Sequence, residues 1–408
     1  MERKFVIISH VPTKAVDEGF IPSIFEKGLS VILLTDKDIA HAHLTKEYAE
    51  KINIIRCDVF NPISIINTLN DYQISPIAIF SNSDHLQSAT SIAASFYKLP
   101  TKSWKCTQIT KNKSLMRQIL SRNNLSNIWQ YTINNHDMLN SIIEKLTYPL
   151  IAKPCLGVAS IGVKKIDSQL ELIDYVRRSW SSNKNAMLNQ TSILLEKYVN
   201  GIIYSLETIG NGEEIQILGG FQTRLSQLPY FIEIGAQWHK NFPFEINQQL
   251  LNKLKCLGVN FGSCHTEFVI DRESNMVDII EVNYRSAGDQ KEFILELLHA
   301  NQYFNTIIDL YLGKKDINLK PIFNAAEIEY LLPNQSGFLK KSPKSYSIVN
   351  NLSISSFVSL KNAGEIISKT NSNEDYLGIL HTISQDPVAV KKILNQQKYN
   401  LEWEIDYV

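Results

Sequence analysis

No charge of either sign predominates in this 408-residue sequence, in which Lys plus Arg equals Asp plus Glu at 41 each. A balanced surface offers nucleic acid no long-range field and supplies no acidic tail, so any phosphate binding has to be built locally. Cysteine is scarce. Cys57, Cys106, Cys155, Cys256 and Cys264 form no CxxC and no zinc-type spacing, which reads as reduced, buried thiols in a reducing compartment. No apolar run reaches the ~20 residues of a membrane span, and the apolar stretch in "MERKFVIISH" is too short for a secretory signal. The expectation is a soluble cytoplasmic protein with neither nucleic acid nor membrane among its partners. GxGxxG and GxxxxGK[ST] are both missing, which leaves a dinucleotide fingerprint and a P-loop unsupported. Internal repeats, heptads and low-complexity linkers are missing too, so the subdomains should pack closely. Single cores stop growing near ~250–300 residues, and this length suits two to four subdomains.

What is present begins with "KFVIIS", "LSVILLTD", "INIIRCD" and "PIAIFSNSD", four β-rich runs separated by helical segments, the last followed by the helix-like "HLQSATSIAASFYKL". That alternation predicts a parallel sheet flanked by helices, with ligand-facing loops at the carboxyl ends of the strands. From about Lys111, "KNKSLMRQILSRN" reads as a basic amphipathic helix with Leu115, Met116, Ile119 and Leu120 at helical spacing. "YPLIAKPCLGVASIGVKKI" reads as strand, small-residue turn and strand, and "SQLELIDYVRRSW" as a helix. "TSILLEKYVNGIIYSLETIG" reads as strand, turn at Asn200-Gly201, and strand. "GSCHTEFVIDRESNMVDIIEVNYRSAGD" predicts two alternating strands, then one helix over "QKEFILELLHANQYFNTIIDLYLG", with short strands and a helix near "DPVAVKKILNQQ" after residue 320. The fold class is an α/β front followed by α+β.

Strand alternation predicts Val277, Ile279, Glu281 and Asn283 on one face and His265, Glu267 and Val269 on a face of the preceding strand. A hairpin centred on Ser274 sets Glu267 opposite Glu281 and His265 opposite Asn283. Like charges directly opposed across a sheet are destabilising without a cation between them. Magnesium takes hard oxygen ligands from one or two carboxylates, phosphate oxygens and water, which suits Glu267, Glu281 and the Asn283 amide oxygen. A solvated strand face is the competing reading. Arg285 would add a planar fork of donors beside the same metal for phosphate or a developing acyl phosphate.

With Lys113, Lys153, the small-residue loop, Glu196 and the "HTEF…IIEVNYRSAG" block in that order, the sequence resembles the ATP-grasp superfamily, and within it the carboxylate–amine ligases of amino-acid, peptide or siderophore type. The resemblance covers nearly the whole chain. It implies an ATP-grasp fold with an N-terminal pre-ATP-grasp α/β domain over 1–110, a small subdomain over 111–190 with the lysines and glycine-rich loop, a large subdomain over 191–320 with the hinge and metal site, and a C-terminal α+β subdomain over 321–408. It further implies ATP phosphate contacts from Lys113 and Lys153, a mobile loop whose backbone N–H groups at Gly157, Ala159, Ser160 and Gly162 approach phosphate, and a hinge of Glu196, Lys197, Tyr198 and Val199 for adenine and ribose. In "GIIYSLE", Gly201, Tyr204, Ser205 and Glu207 keep the family pattern, with Glu207 on the nucleotide side, while Ile203 stands where a glutamate is common. Glu267, Glu281 and Asn283 match the magnesium ligands, with Mn2+ as an alternative ion. Arg285 matches the acyl-phosphate contact and acts with Lys153 in catalysis. His265 is either a ligand-facing or a packed strand histidine, and Gly288 lets the backbone approach the acceptor.

The chemistry implied is activation of a carboxylate by ATP to an acyl phosphate, then attack by an amine to give an amide, ADP and phosphate. Phosphoryl transfer needs mainly positioning and charge stabilisation, so the lack of a Ser/His/Asp or Cys/His signature fits, and Cys155 is read as packing. Substrate choice is assigned to "GGFQTRLSQLPYFIEIGAQWHKNFP", residues 219–243, where Arg224 would bind a carboxylate and Glu233 an ammonium, with Trp238 and His239 beside them or in the core. The partners are then a small-molecule carboxylate and amine, with homodimerisation left open. Dipeptide, siderophore and other secondary-metabolite assembly are the pathways that fit. A biotin-dependent carboxylase fits less well, since there is no biotinyl-lysine context, and an ATP-binding regulator with a degenerate site is the alternative class.

Overall fold

Period-two burial organises the front of the chain. The computed structural model of the protein describes residues 4–36, 51–157, 160–181, 192–350 and 352–407. Strands β1 (Lys4–Ile8), β2 (Ser30–Thr35), β3 (Ile52–Arg56) and β4 (Pro76–Phe80) pair in parallel in the order β3-β2-β1-β4. Phe5, Ile7, Val31, Leu33 and Phe80 enter one core with the helix Tyr303–Tyr311, and Val6, Ile8, Ile32, Leu34 and Ile79 enter another with the helices Pro62–Asp71 and Gln87–Phe96. A sheet covered on both faces reads as continuous apolar runs, which is why all four strands were legible. Because β2 and β4 lie on opposite sides of β1, the strand order reverses between β1 and β4, the place where open α/β sheets bind ligands.

The second sheet contains β5 (Gln130–Ile133), β6 (Leu150–Pro154), β7 (Lys164–Ile166) and β8 (Ile193–Lys197), all antiparallel, in the order β5-β8-β6-β7. Leu150, Ala152, Ile193 and Leu195 pack under the helix Gln169–Ser181. The alternate residues Ile151, Lys153 and Glu196 therefore face away from that core, into a cavity.

The central sheet closes the other side of this cavity. It holds β9 (Gly201–Asn211), β10 (Ile215–Leu225), β11 (Glu233–His239), β12 (Phe261–Asp271), β13 (Val277–Asn283) and β14 (Ala325–Leu331). Strands β16 (Tyr346–Val349), β17 (Ser353–Ser359) and β19 (Gly378–Ser384) extend it, in the order β13-β12-β9-β10-β11-β14-β19-β17-β16, so the sheet continues past residue 320. A small sheet of β15 (Gly337–Lys341), β18 (Ile366–Ile367) and β20 (Glu404–Tyr407) lies beside it in sequence, and the helix Pro387–Tyr399 packs on β19. Although β8 and β9 are joined at Asn200-Gly201, they belong to different sheets, and that turn is the crossover between the two walls of the cavity.

Two local expectations need correction. The helix expected over residues 290–313 is two, Lys291–Leu298 and Tyr303–Tyr311, because Ala300 (φ 56°) and Asn301 (φ 59°) take left-handed conformations that end the first. Glu267 does pair with Glu281, and His265 with Asn283, but Phe268 pairs with Ile279, so Ile280 is an extra, bulged residue. The bulge turns Val277 and Ile279 into the core beneath the helix Phe244–Leu257, on the opposite face from Glu281 and Asn283. A second bulge sits at Ile234, where Arg224 pairs with Gly235 but Leu225 with Glu233. Arg224 and Glu233 therefore leave the sheet on opposite faces.

Candidate active site

The cavity between the second and central sheets has a volume of about 560 Å3. Its carboxylate wall follows from strand register. Glu267 and Glu281 are directly opposed and both line the cavity, with Asn283 and His265 one pair further along. Lys113 relieves the repulsion: its Nζ lies 2.7 Å from Glu281 Oε1 and donates to Gly157 O at 2.7 Å. Burial raises the Glu281 carboxyl, the Lys113 charge opposes that, and Glu267 adds to it. At Glu267 burial also works against ionisation, but the hydrogen bond and charge of His265 and the charges of Lys291 and Lys113 prevail and hold the carboxyl at about 2.

His265 is built into this wall rather than offered to it. Its Nδ1 lies 2.7 Å from Glu207 Oε1 and its Nε2 3.5 Å from Glu267 Oε1. Burial disfavours the imidazolium, yet the charge and hydrogen bond of Glu207 and the hydrogen bond with Glu267 lift it to about 10. Glu207 also accepts from Ser205 Oγ at 2.7 Å, is buried, and stands behind His265 rather than on the cavity surface. Glu207, expected on the nucleotide side, supports His265 from behind.

On the other wall, Lys153 donates to Glu196 Oε1, while Arg117 Nε and Nη2 take Glu196 Oε2 at 3.2 and 3.1 Å. Arg117 is four residues after Lys113 in the helix Lys113–Arg122, so both cations leave the same face. Asn112 caps that helix by accepting from Leu115 N at 3.1 Å, and Met116 and Leu120 fix its apolar side. Glu196, expected at the hinge, lines the cavity with both carboxylate oxygens engaged by cations, so it serves as their counter-ion. Its neighbours Lys197, Tyr198 and Val199 line the cavity beside Ile128, Ile151 and Ile280. Gly157 and Ser160 line it as well. Gly162 (φ 74°) lines an adjacent cavity, and Ala159 lies outside the described residues.

Arg285 reaches the same cavity but is anchored from the N-terminal sheet: its Nε donates to Asp84 Oδ2 at 2.6 Å, and its Nη1 to Ser286 O at 2.7 Å. Asn82 Oδ1 accepts from Ser286 N at 3.2 Å and Ser286 Oγ at 2.6 Å. Gly288 lines the cavity, and a Cβ there would meet nothing nearer than Arg285 Nη1 at 3.6 Å, so its place does not depend on being glycine. Glu233 lines the cavity too, paired with the buried Lys291 at 2.8 Å.

Two expected substrate contacts are elsewhere. Arg224 Nη2 reaches across Gly235 to Glu329 Oε1 at 2.8 Å and Glu327 Oε1 at 3.3 Å, a path that Gly235 leaves open, since a Cβ there would lie 2.3 Å from Arg224 Nη2. His239 packs edge-on to Tyr204 and stacked on Phe242, and Trp238 is core. Arg117, Asp84 and Lys291 were not singled out in the sequence. Only Arg117 had a local signal, its spacing from Lys113.

Among the described residues no group of three or more His, Cys, Asp or Glu side chains converges as a metal site. The donor chemistry of Glu267, Glu281 and the Asn283 amide fits magnesium nonetheless, since that ion is usually held by one or two carboxylates and completed by phosphate and water.

Residues 146–292, which span β6 to the start of the helix Lys291–Leu298, match the model of the ATP-grasp domain. This stretch carries an ATP-grasp domain. The chain's ATP-grasp fold is similar over 100% of its length, with a TM-score of 0.79, to 99% of an L-amino acid ligase from Bacillus licheniformis at 18% identity. It is also similar, over 98% of its length and 97% of that chain (TM-score 0.68, 15% identity), to N5-carboxyaminoimidazole synthetase from Staphylococcus aureus complexed with ADP. In sequence it is 23% identical over 195 residues to a D-alanine–D-alanine ligase of Prochlorococcus marinus (strain MIT 9301), a match covering 42% of this chain and 51% of that protein. The chain thus spans about half the length of the curated relative it matches. No helix of the described residues is long and apolar enough to cross a membrane.

Proposed function

We propose that this chain is an ADP-forming ligase of the ATP-grasp type that joins a carboxylate to an amine through an acyl phosphate. The observation that carries the reading is the in-register pair Glu267 and Glu281 on the wall of one cavity, with Lys113 on Glu281 and Arg285 beyond Asn283. Two opposed carboxylates, an amide oxygen and converging cations suit a metal–triphosphate end of a nucleotide, and the apolar residues by Lys197, Tyr198 and Val199 suit a base. Glu267, Glu281 and Asn283 would hold Mg2+, or Mn2+, which supplies charge neutralisation on the β- and γ-phosphates when bound.

The chain's own groups then divide the work. Lys153, kept in line by Glu196, and Lys113 bind the phosphates, and the backbone N–H groups of Gly157 and Ser160 approach them. A substrate carboxylate oxygen attacks the γ-phosphorus, and the bond to ADP breaks with its electron pair staying on ADP. Arg285, fixed by Asp84, neutralises charge on the transferred phosphoryl group. The amine then forms the C–N bond, and phosphate departs from the acyl carbon with the C–O pair. The Glu233 carboxylate, which already accepts from Lys291, takes an ammonium on the donor as a second cation. The likeness to an L-amino acid ligase supports amino acids as substrates.

The test is magnesium-dependent ADP release by the purified chain across amino acids, amines and polycarboxylates such as citrate, the last covering siderophore-type and other secondary-metabolite ligation, with products identified by mass. Stimulation by one carboxylate–amine pair, with an amide of the summed mass less water, is expected. ATP binding without stimulation by any pair would favour the ATP-binding regulator instead.

A further inference from the structure

A second cavity, of about 950 Å3, meets the first at Ser160, Glu281 and Asn283 and opens toward the carboxyl end of the N-terminal sheet, where Asp84 and His85 line it. Its volume is that of a small-molecule site. These two residues follow β4, and His10 follows β1, so this end of the cavity is the strand-order reversal of the sheet. The His10 ring lies edge-on to His85 at 5.5 Å and to Phe60 at 5.4 Å, and its Nδ1 is 3.2 Å from Ser83 Oγ, which makes the loop ends a packed floor.

Lys164, Arg178, Asp84, Asp174, Glu281 and Glu374 all line this chamber, but Lys164 is paired with Glu171 and Arg178 with Asp174, which leaves Lys111 as its cation without an ion-pair partner among the described residues. Lys111 ends the helix Trp104–Lys111, is half-buried, lines the cavity, and donates from Nζ to His85 O at 3.2 Å. The negative charge that acts on it is Asp84, which Arg285 already holds at 2.6 Å, so one carboxylate serves two cations. Burial lowers the Lys111 ammonium from its ordinary value, the expected response of a cation removed from water without a full counter-ion. An anionic group of a ligand would complete it.

We propose that this second cavity is the chamber of the amine substrate and that Lys111 binds a carboxylate on that substrate, so the acceptor is an amino acid or another carboxylate-bearing amine. The proposal rests on the ligase reading. The first cavity accounts for nucleotide and donor carboxylate, and the shared wall at Glu281 and Asn283 is where the acyl phosphate forms. An amine coming through the second cavity reaches the acyl carbon without crossing the nucleotide. Its nitrogen lone pair forms the C–N bond, the C–O bond to phosphate breaks, and the departing phosphate carries away the electron pair and takes the amine proton.

The experiment compares the full chain with Lys111→Met and Lys111→Arg, using the L-amino acids and their carboxamides as acceptors. For the unmodified protein the amino acids are expected to give the lower KM. Lys111→Met should raise the amino-acid KM about tenfold while the KM values for carboxamide and ATP stay put, and Lys111→Arg should retain most of the preference. Equal KM values for acid and amide, or a rise shared by both in Lys111→Met, would overturn the proposal. Binding is read apart from turnover by equilibrium dialysis of radiolabelled L-amino acids. If no pair releases ADP the ligase reading falls, yet retention lost in Lys111→Met still upholds the chamber, and retention equal in both proteins or seen in neither removes it.

Discussion

Lys113 Nζ and Glu281 Oε1, from residues 168 apart in sequence, meet at 2.7 Å and join the helix Lys113–Arg122 to β13, the strand that carries half of the carboxylate wall. Glu281 is thus both an ion-pair partner and half of the opposed carboxylate pair. Glu281→Gln is expected to keep the shape of the wall and lower ADP release by at least ~10²-fold, in the range found when one preorganised electrostatic group is removed. Steady-state ADP release, beside circular dichroism to verify folding, measures this; turnover within a few fold of the parent would remove Glu281 from the metal site.

Glu196 balances two buried cations, so its removal should hurt more than removal of either partner. Leaving a buried ion without its counter-charge costs about 3–5 kcal/mol. Glu196→Gln is expected in that range by urea denaturation and Arg117→Leu well below it, since Lys153 still holds the carboxylate. The reverse ranking would contradict the counter-ion role.

His265 makes stability fall with rising pH. Its folded-state value of about 10 lies above the ordinary 6.5, so the stabilisation is full below about 6.5 and disappears as pH climbs through about 10. Denaturation curves between these limits should fall more steeply for the parent than for His265→Asn. Parallel curves would mean that the Glu207 and Glu267 contacts do not hold the proton.

At Gly201, where β9 begins, an added Cβ would lie 2.2 Å from Ile270 O, a backbone atom of β12 that cannot step aside. Gly201→Ala is expected to cost about 1–3 kcal/mol, the usual range for overpacking. Because this glycine also starts the crossover between the two cavity walls, a rise in the KM for ATP should accompany the lower Tm. An unchanged Tm would show that the strands separate there without penalty.

Much of this was legible because the signal was local. Four doubly buried parallel strands announce themselves as apolar runs, and the pairing of Glu267 with Glu281 follows from counting outward from Ser274. The count survives only near the site, because the extra residue Ile280 shifts everything closer to the turn. A bulge has no composition of its own, and the misplaced face of Val277 and Ile279 comes from the one at Ile280. Partner choice was equally hidden: nothing in "SNSD" says that Asp84 will hold an arginine 201 residues later, and Lys291 meets Glu233 across 58 residues. Arg224 was misread because its outlet is a missing side chain, that of Gly235.

The grip of Asp84 on Arg285 and of Asn82 on Ser286 limits how this chain can be taken apart. Residues 146–292 are a recognisable module, but the orientation of its arginine is set by a loop outside it. Transplanting the front sheet from a relative, or diversifying the loop at 82–84 by directed evolution, would therefore have to carry Asp84 and Arg285 together. A change on one side alone would leave the guanidinium free to swing, and the two positions should tolerate replacement as a matched pair.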